Sequence, residues 1–323
     1  MSFQRRQVKL SGSAYPETSK SAYEFPKGVR PSYINGKATT STGCPSLDAI
    51  LVGGGLALGT CLLIEESGST DFASALLRYF AAQGVVHEHA LIVCGVEKSW
   101  VGELPGINEK LQRANHSVEK MKIAWRYNDL GSGDTGRERE QGDYCNTFDL
   151  TRRLDTTCSN VTILRPDFQE VLAHVEKVMG EARPHVHRVV LPGLLSPLQY
   201  DQTARHPGRI LRFLHSLRLL LQRYPTRLAV MMTLPVYLYP RTSAIVGWME
   251  ILADGVLELV PLPAAGDGPQ GVVRVLKLPE TNVSDEHYEF RVSRRGFSME
   301  TWSFGVVGEE QGTEDRQPDK LDF

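Results

Sequence analysis

Cysteine is scarce in this sequence, and its spacing argues against a metal or disulfide framework. The five cysteines are Cys44, Cys61, Cys94, Cys145 and Cys158. No two of them have the C-x-x-C spacing of structural zinc sites, and their number is odd. Reduced thiols fit a protein of a reducing compartment better. We therefore expect no metal site, and a location in the cytoplasm and the nucleus.

Long apolar runs are missing as well. The longest, residues 56–64, contains Gly59 and Thr60. It is far shorter than the roughly 20 residues that a membrane-spanning helix needs. The charged residues at 1–6 are not followed by an apolar stretch, so the pattern does not indicate a secretory signal. We expect no membrane contact.

An excess of positive charge is also absent. Lysine and arginine together number 36, against 38 aspartates and glutamates, and the formal net charge is −2. Such a surface does not attract polyanions as a whole, so any contact with nucleic acid must come from a local basic patch. On charge alone, a protein that never touches nucleic acid is the simpler interpretation.

The composition divides the chain into three parts. Residues 1–38 are rich in Ser, Lys, Arg, Pro and Tyr and have no apolar periodicity, which predicts a disordered basic leader. Residues 39–306 form the predicted folded domain, with a loop insertion at about 128–143 that is rich in Gly, Asp, Arg and Glu. Residues 307–323 are predicted to be an acidic flexible tail.

Strand and helix patterns alternate through the folded part. Apolar runs predict strands at 60–64, 90–94, 186–191, 228–233 and 255–260. Helical spacing predicts helices at about 73–84, 168–178, 210–221 and 243–253. Continuous apolar strands, each paired with a helix, indicate a mainly parallel sheet that is covered on both faces. The alternating segments 272–276, 288–292 and 297–304 predict antiparallel strands at its edge, so the fold class is α/β.

The turn between the first of these strands and its helix has the place of a P-loop without its chemistry. A P-loop reads G-x-x-x-x-G-K-[ST], in which backbone amides and Lys bind phosphates and Ser/Thr binds magnesium. Here the Lys is absent, and we interpret four residues as a degenerate nucleotide loop: Ser67, Gly68, Ser69 and Thr70. Glu65 and Glu66 place negative charge where phosphates would lie, which would repel a triphosphate.

The carboxylate that binds magnesium is missing too. The strand at 186–191 is followed by Pro192 and Gly193 instead of an Asp. Glu97 stands where a water-activating Glu could lie, although a solvated loop residue is the more ordinary interpretation. We therefore predict no catalytic residue and no efficient ATP hydrolysis by this chain alone.

Four segments carry a resemblance to a known family. Residues 41–56 (STGCPSLDAILVGGGL) resemble the T-G-x-x-x-L-D-x-x-L-G-G-G-[LI] segment of RecA-superfamily domains. Residues 59–66 (GTCLLIEE) depart from the ATPases and are similar to the Elongator complex protein 4 (PAXNEB-type) family, whose P-loop lacks its lysine. Residues 144–151 (YCNTFDLT) and 320–323 (KLDF) resemble the same family. The resemblance covers nearly everything from about residue 31 and implies a RecA-like fold.

That resemblance also implies a function. The family forms a six-membered RecA-like ring with Elongator proteins 5 and 6, and the ring binds transfer RNA. The ring docks onto the catalytic Elongator subunits 1, 2 and 3, which carry out 5-carboxymethyl-type modification of the wobble uridine, U34. This chain would then be a non-catalytic accessory subunit without a cofactor, and any ATP or ADP would bind at interfaces of the ring.

Two loops are candidates for contact with transfer RNA, because loops at the carboxyl ends of the central strands point toward the axis of RecA-like rings. They are residues 193–209 and 235–242. Aromatic rings can stack on bases and arginines can pair with phosphates, so the candidates are Arg205, Arg209, Tyr237, Tyr239 and Arg241. A solvated helix face is the alternative for Arg209, and packing between subunits is the alternative for the second loop.

Three functions are open at this point. The first is a scaffold and transfer-RNA-binding subunit of a hetero-hexameric ring. The second is an active RecA-like ATPase whose catalytic groups come in trans from a neighbour. The third is a pure scaffold with no RNA contact. ATP turnover separates the first from the second, and salt-dependent binding of transfer RNA separates the first from the third.

Overall fold

A computed structural model of the chain describes residues 25–51, 53–108, 144–155, 160–181, 185–263, 268–279, 287–293 and 295–302. The predicted insertion at 128–143, the predicted tail at 307–323 and residues 1–24 of the predicted leader lie outside these ranges.

Strands and helices alternate along most of the described chain. The strands are β1 (Val29–Pro31), β2 (Ala38–Thr40), β3 (Leu56–Ala57), β4 (Cys61–Glu66), β5 (Ala90–Cys94), β6 (Pro105–Ile107), β7 (Phe148–Arg153), β8 (Val161–Leu164), β9 (His187–Leu191), β10 (Leu228–Pro235), β11 (Gly255–Pro261), β12 (Gly271–Lys277), β13 (His287–Val292) and β14 (Phe297–Thr301). The helices are α1 (Pro45–Ile50), α2 (Phe72–Val86), α3 (Lys98–Gly102), α4 (Phe168–Gly180), α5 (Pro207–Arg223) and α6 (Ala244–Leu252). None of these helices is long and apolar enough to cross a membrane.

A nine-stranded sheet forms the centre, in the order β14-β13-β12-β11-β4-β10-β9-β5-β8. Every pairing from β11 to β8 is parallel, whereas β11 to β14 are antiparallel neighbours. The prediction of an α/β domain with a mainly parallel sheet and antiparallel carboxyl-terminal edge strands is therefore confirmed. The predicted helices are also present, each within a few residues of its expected ends.

The central strand β4 shows why the apolar runs are continuous. Successive side chains of a strand point to opposite faces of the sheet. Leu62 and Ile64 belong to the core beneath α1 and α2, while Cys61 and Leu63 belong to the core beneath α4, α5 and α6. Both faces are covered by helices, so no position of the strand faces water.

The leader boundary at residue 38 is wrong for the part that the structure describes. Strand β1 pairs antiparallel with β2, with Val29 opposite Thr40, and β2 pairs in turn with β3. The Thr40 hydroxyl also donates to the Gly28 carbonyl, at 2.9 Å. These strands have only two or three residues each, too few to show an apolar periodicity. They form because they pair with one another.

A fully buried arginine, Arg188 of β9, joins the central sheet to this amino-terminal segment. Its guanidinium donates to the Ser41 and Phe80 carbonyls, both at 2.9 Å, and to the Thr40 hydroxyl at 2.7 Å. Its Nε donates to His89 Nδ1 at 3.1 Å. Burial lowers the pKa of Arg188 to about 9, which leaves the group charged at neutral pH. Hydrogen-bond acceptors surround the charge, as a buried ion requires.

Gly84 of α2 leaves room for this arginine. A Cβ atom at Gly84 would lie 2.7 Å from Cδ of Arg188. We expect Gly84→Ala to lower the free energy of unfolding by about 1–3 kcal/mol, the usual cost of overpacking, despite the better helix propensity of alanine. Urea unfolding measures the change.

Gly247 of α6 is the matched control, because a Cβ there would meet nothing within 4 Å. Gly247→Ala should raise the free energy of unfolding by up to about 1 kcal/mol. Equal effects of the two substitutions would contradict a packing role for Gly84.

Candidate functional site

The two glutamates before the degenerate loop lie in strand β4, not in the turn where the sequence placed them. The strand extends to Glu66, and both side chains are buried. Alternation along the strand sends them to opposite faces of the sheet. Glu66 faces α2, and Glu65 faces the side that carries α6. Only Glu66 therefore lies against the amino terminus of α2, where a phosphate would bind in a P-loop protein.

The carboxylate of Glu66 binds the amino terminus of α2. Its two oxygens accept hydrogen bonds from the backbone amides of Phe72 at 2.8 Å and Ala73 at 3.1 Å. The Thr70 hydroxyl donates to the same carboxylate at 2.7 Å. In a P-loop protein these groups are the ligands of phosphate and magnesium. Glu66 thus supplies an anion of the chain itself to donors of the kind that bind a phosphate in a P-loop protein.

Burial raises the pKa of Glu66, and the three hydrogen bonds oppose that shift because they favour the charged form. The positive end of the α2 dipole also favours the charged carboxylate and so lowers its pKa.

The predicted degenerate loop is a tight turn with no basic group. Ser67 is directed away from the α2 amides, since its hydroxyl donates to Glu258 Oε1 at 2.8 Å. Gly68 has φ +103°, and a Cβ there would lie 2.9 Å from Pro261. Ser69 is exposed. The turn therefore keeps the shape that connects strand to helix, while the groups that would bind a nucleotide are absent or already bonded.

A cleft of about 290 Å³ lies beside this turn, at the carboxyl ends of β4, β9 and β10. Its walls include the carboxylates of Glu66 and Asp71 and the aromatic rings of Trp100 and Tyr237. Arg78 also lies there, with Nη2 at 3.2 Å from the Glu103 carboxylate. The cleft has the position of a nucleotide site, but its lining contains two carboxylates, Glu66 and Asp71, and one basic group, Arg78.

Neither of the other two positions considered for catalysis places a carboxylate among the residues that line the cleft. Pro192 and Gly193, which follow β9, line the cleft without a carboxylate. Glu97 is exposed at the start of α3, and the cleft is lined by its neighbour Val96 instead. The ordinary interpretation of Glu97 as a solvated loop residue fits this position.

Arg241, a predicted RNA-binding residue, is engaged inside the protein. Its Nη2 lies 3.0 Å from Glu250 Oε1, its Nη1 lies 3.4 Å from Glu258 Oε2, and its Nε lies 3.3 Å from Glu65 Oε2. Arg274 of β12 also contacts Glu258, at 3.1 Å. We call these five residues the Arg241 cluster. Because its guanidinium already faces three carboxylates, Arg241 would have to exchange one of these partners to bind a phosphate, and its contact with RNA stays a prediction.

The buried carboxylate of this cluster is Glu65. Burial raises the pKa of Glu65 to about 8, and the neighbouring Glu250 and Glu258 carboxylates add to the shift, while the Arg241 guanidinium opposes it. Neither oxygen of Glu65 has a hydrogen-bond donor among the described residues. Burial and the two neighbouring carboxylates therefore favour the protonated form of Glu65.

The other four RNA candidates lie on the two predicted loops, which follow the adjacent strands β9 and β10. The Tyr239 hydroxyl donates to the Leu195 carbonyl at 2.9 Å, so the two loops are in contact. Tyr237 is 53% exposed at the mouth of the cleft. Arg209 is exposed on the first turn of α5, and Arg205 precedes that helix with its Nε bonded to the Asp201 carbonyl. Their contact with RNA stays a prediction.

Comparison with known proteins assigns the family. The sequence pattern of the PAXNEB protein family matches residues 22–322, nearly the whole chain. The chain belongs to the PAXNEB family.

Relatives of this PAXNEB chain share one name. Elongator complex protein 4 of Schizosaccharomyces pombe is 30% identical over 328 residues, which are 89% of this chain and 90% of that protein. The proteins of that name from Saccharomyces cerevisiae and Homo sapiens are each 28% identical, over 86% and 84% of this chain and 76% and 78% of their own lengths. Among solved structures, a KaiC-like protein from Pyrococcus horikoshii aligns over 81% of this chain and 98% of its own, with 17% identity and a TM-score of 0.47.

The sequence analysis missed the roles of Glu66 and Glu258 in this PAXNEB chain. For Glu66 a signal was available: Glu65 and Glu66 directly follow a buried apolar run, and a strand two residues longer than predicted would bury both. Buried carboxylates need donors or counter-charges, so the pair predicts a cap and an ion cluster. Which residues supply them depends on the sheet order.

Replacement of Glu65 tests the pH behaviour of the cluster. Its folded pKa lies above the unfolded value of 4.5, so its contribution to stability is complete below that value and is lost as pH rises toward 8. We expect the wild type to lose stability relative to Glu65→Gln between about pH 5 and 8, by at most about 1.4 kcal/mol per pH unit. Urea unfolding at several pH values measures both chains.

Glu97→Gln is the control for that comparison, since it removes a carboxylate from an exposed position. If the difference between wild type and Glu65→Gln did not change with pH, the raised pKa of Glu65 would be wrong.

Proposed function

We propose that this chain is a non-catalytic subunit of the Elongator complex, within a hetero-hexameric RecA-like ring formed with Elongator proteins 5 and 6. The names of its relatives support membership of the complex. One observation supports the non-catalytic role most directly. Glu66 already binds the α2 amides and Thr70, which a nucleotide phosphate and its magnesium would otherwise need.

The ring binds transfer RNA and supports 5-carboxymethyl-type modification of the wobble uridine by the catalytic Elongator subunits 1, 2 and 3, in the cytoplasm and the nucleus. In this chain, the joined loops after β9 and β10 supply the RNA contacts. Exposed Arg209 and half-buried Arg205 offer positive charge, and exposed Tyr237 offers a stacking surface. The overall charge of −2 makes such a local patch necessary.

The absence of lysine from the turn, together with Glu66, predicts that the isolated chain does not turn over ATP. Phosphate release should equal the enzyme-free background, and Thr70→Ala should leave it unchanged, because Thr70 donates to Glu66 in the native structure. A coupled phosphate-release assay measures both. Robust turnover that Thr70→Ala abolishes would favour an active ATPase over an accessory subunit.

The double substitution of Arg205 and Arg209 by alanine tests the RNA surface in the assembled ring. Each lost phosphate contact should flatten the plot of log affinity against log salt by roughly 0.7 to 0.9, equally for all transfer RNAs. Ring mass should not change, because Arg209 is exposed and Arg205 is only half-buried, and arginines at the surface contribute little to stability. Filter binding at several salt concentrations and mass photometry give the two readouts.

Arg223→Ala is the matched control, because Arg223 lies at the other end of α5 with its side chain 67% exposed. An intact ring with unchanged affinity and slope in the double variant would favour the pure scaffold over RNA binding by these arginines. A ring that dissociates would place them at a subunit interface.

A further inference from the structure

The loop that joins β10 to α6, residues 236–243, is held at several points while its tip is exposed. At its start, the Val236 amide donates to the Glu66 carbonyl at 3.0 Å. In its middle, Tyr239 bonds to Leu195. Near its end, Arg241 enters the Arg241 cluster. Between the first two contacts, Tyr237 and Leu238 are 53% and 41% exposed. The loop thus presents a tyrosine on a fixed backbone.

The contacts of Arg241 connect the loop to three other elements of the fold. Glu65 comes from β4, Glu250 from α6 and Glu258 from β11, so a single guanidinium touches one helix and two strands. A guanidinium has five N–H donors in a planar fork and can face several carboxylates together. A lysine ammonium lacks that geometry.

The charges of the cluster balance only with one proton. Its members are Glu65, Glu250 and Glu258 against Arg241 and Arg274, and Ser67 adds an uncharged donor to Glu258. Three ionised carboxylates would exceed two guanidiniums, and a proton on the buried Glu65 makes the cluster neutral. Loss of Arg241 would leave Glu65 and Glu250 without the guanidinium that faces them, so the loop end would lose its attachment.

We propose that Arg241 is a positioning residue, which fixes the 236–243 loop to the ends of β4 and β11 and so holds Tyr237 at the mouth of the cleft for RNA contact. The RNA part rests on the function proposed above. The positioning part rests only on the contacts of the cluster.

Direct binding and positioning predict opposite results for Glu250→Gln. If Arg241 bound phosphate, removal of a competing carboxylate would free it, and RNA affinity would rise. If Arg241 positions the loop, Glu250→Gln removes its closest charged partner, at 3.0 Å, and affinity falls. Arg241→Lys preserves the charge but not the fork, so it should act in the same direction as Glu250→Gln.

The experiment uses the assembled ring with four variants: Arg241→Lys, Glu250→Gln, Tyr237→Ala and the exposed control Glu97→Gln. Amide hydrogen exchange of residues 237–243 reports on the loop, and transfer RNA affinity at several salt concentrations reports on binding. We expect exchange in Arg241→Lys and Glu250→Gln to rise on the order of tenfold, as local opening becomes easier. Affinity should fall in both while the salt slope is preserved, because no phosphate contact is lost. Glu97→Gln should match the wild type in exchange.

Each result separates the two parts of the proposal. Wild-type exchange in both cluster variants would overturn the positioning role, and so would tighter RNA binding by Glu250→Gln beyond that of Glu97→Gln. Faster exchange with no loss of affinity in Tyr237→Ala would support positioning but overturn RNA contact through this loop. Loss of affinity in Tyr237→Ala with wild-type exchange in the cluster variants would support the RNA contact alone.

Discussion

The buried guanidinium of Arg188 is the interaction on which the arrangement of this domain depends. Its charge lies inside the parallel sheet, and its donors satisfy backbone carbonyls from the amino-terminal segment and from α2. An unpaired buried charge is costly, so these segments must assemble together around it. The nearby Asp48 has the complementary role, since it accepts from the Ser41 hydroxyl at 2.5 Å and from the Thr42 amide at 2.7 Å.

This arrangement explains the residues that resemble the RecA superfamily in 41–56. Asp48 fixes the turn before α1, and the glycines at 53–55 all have positive φ values, of 117°, 80° and 154°. Non-glycine residues rarely adopt such values. The motif therefore encodes the entry of the chain into the sheet.

Sequence patterns predicted the long elements, because a strand buried on both faces and an amphipathic helix such as α5 each leave a local signature. They did not predict the strands β1, β2, β3, β6, β7 and β8 or the short helices α1 and α3. Four of these strands have three residues or fewer, and all six are held by pairing with a neighbouring strand. The site shows the same division. Loss of the P-loop lysine is visible in the sequence, whereas the pairing of Arg241 with Glu65 and Glu258 requires the sheet order that places β4 beside β11.

The hydrogen bonds between Glu66 and the first amides of α2 also bear on whether the stability of this part of the domain depends on a bound ligand. In a protein that binds phosphate at this turn, ligand adds to the stability of the native state by mass action, so the fraction folded follows the ligand concentration. Here the anion is covalently part of the chain and is present in every molecule. A group of the chain itself therefore satisfies the amino terminus of α2, and this contact does not depend on the ratio of ATP to ADP.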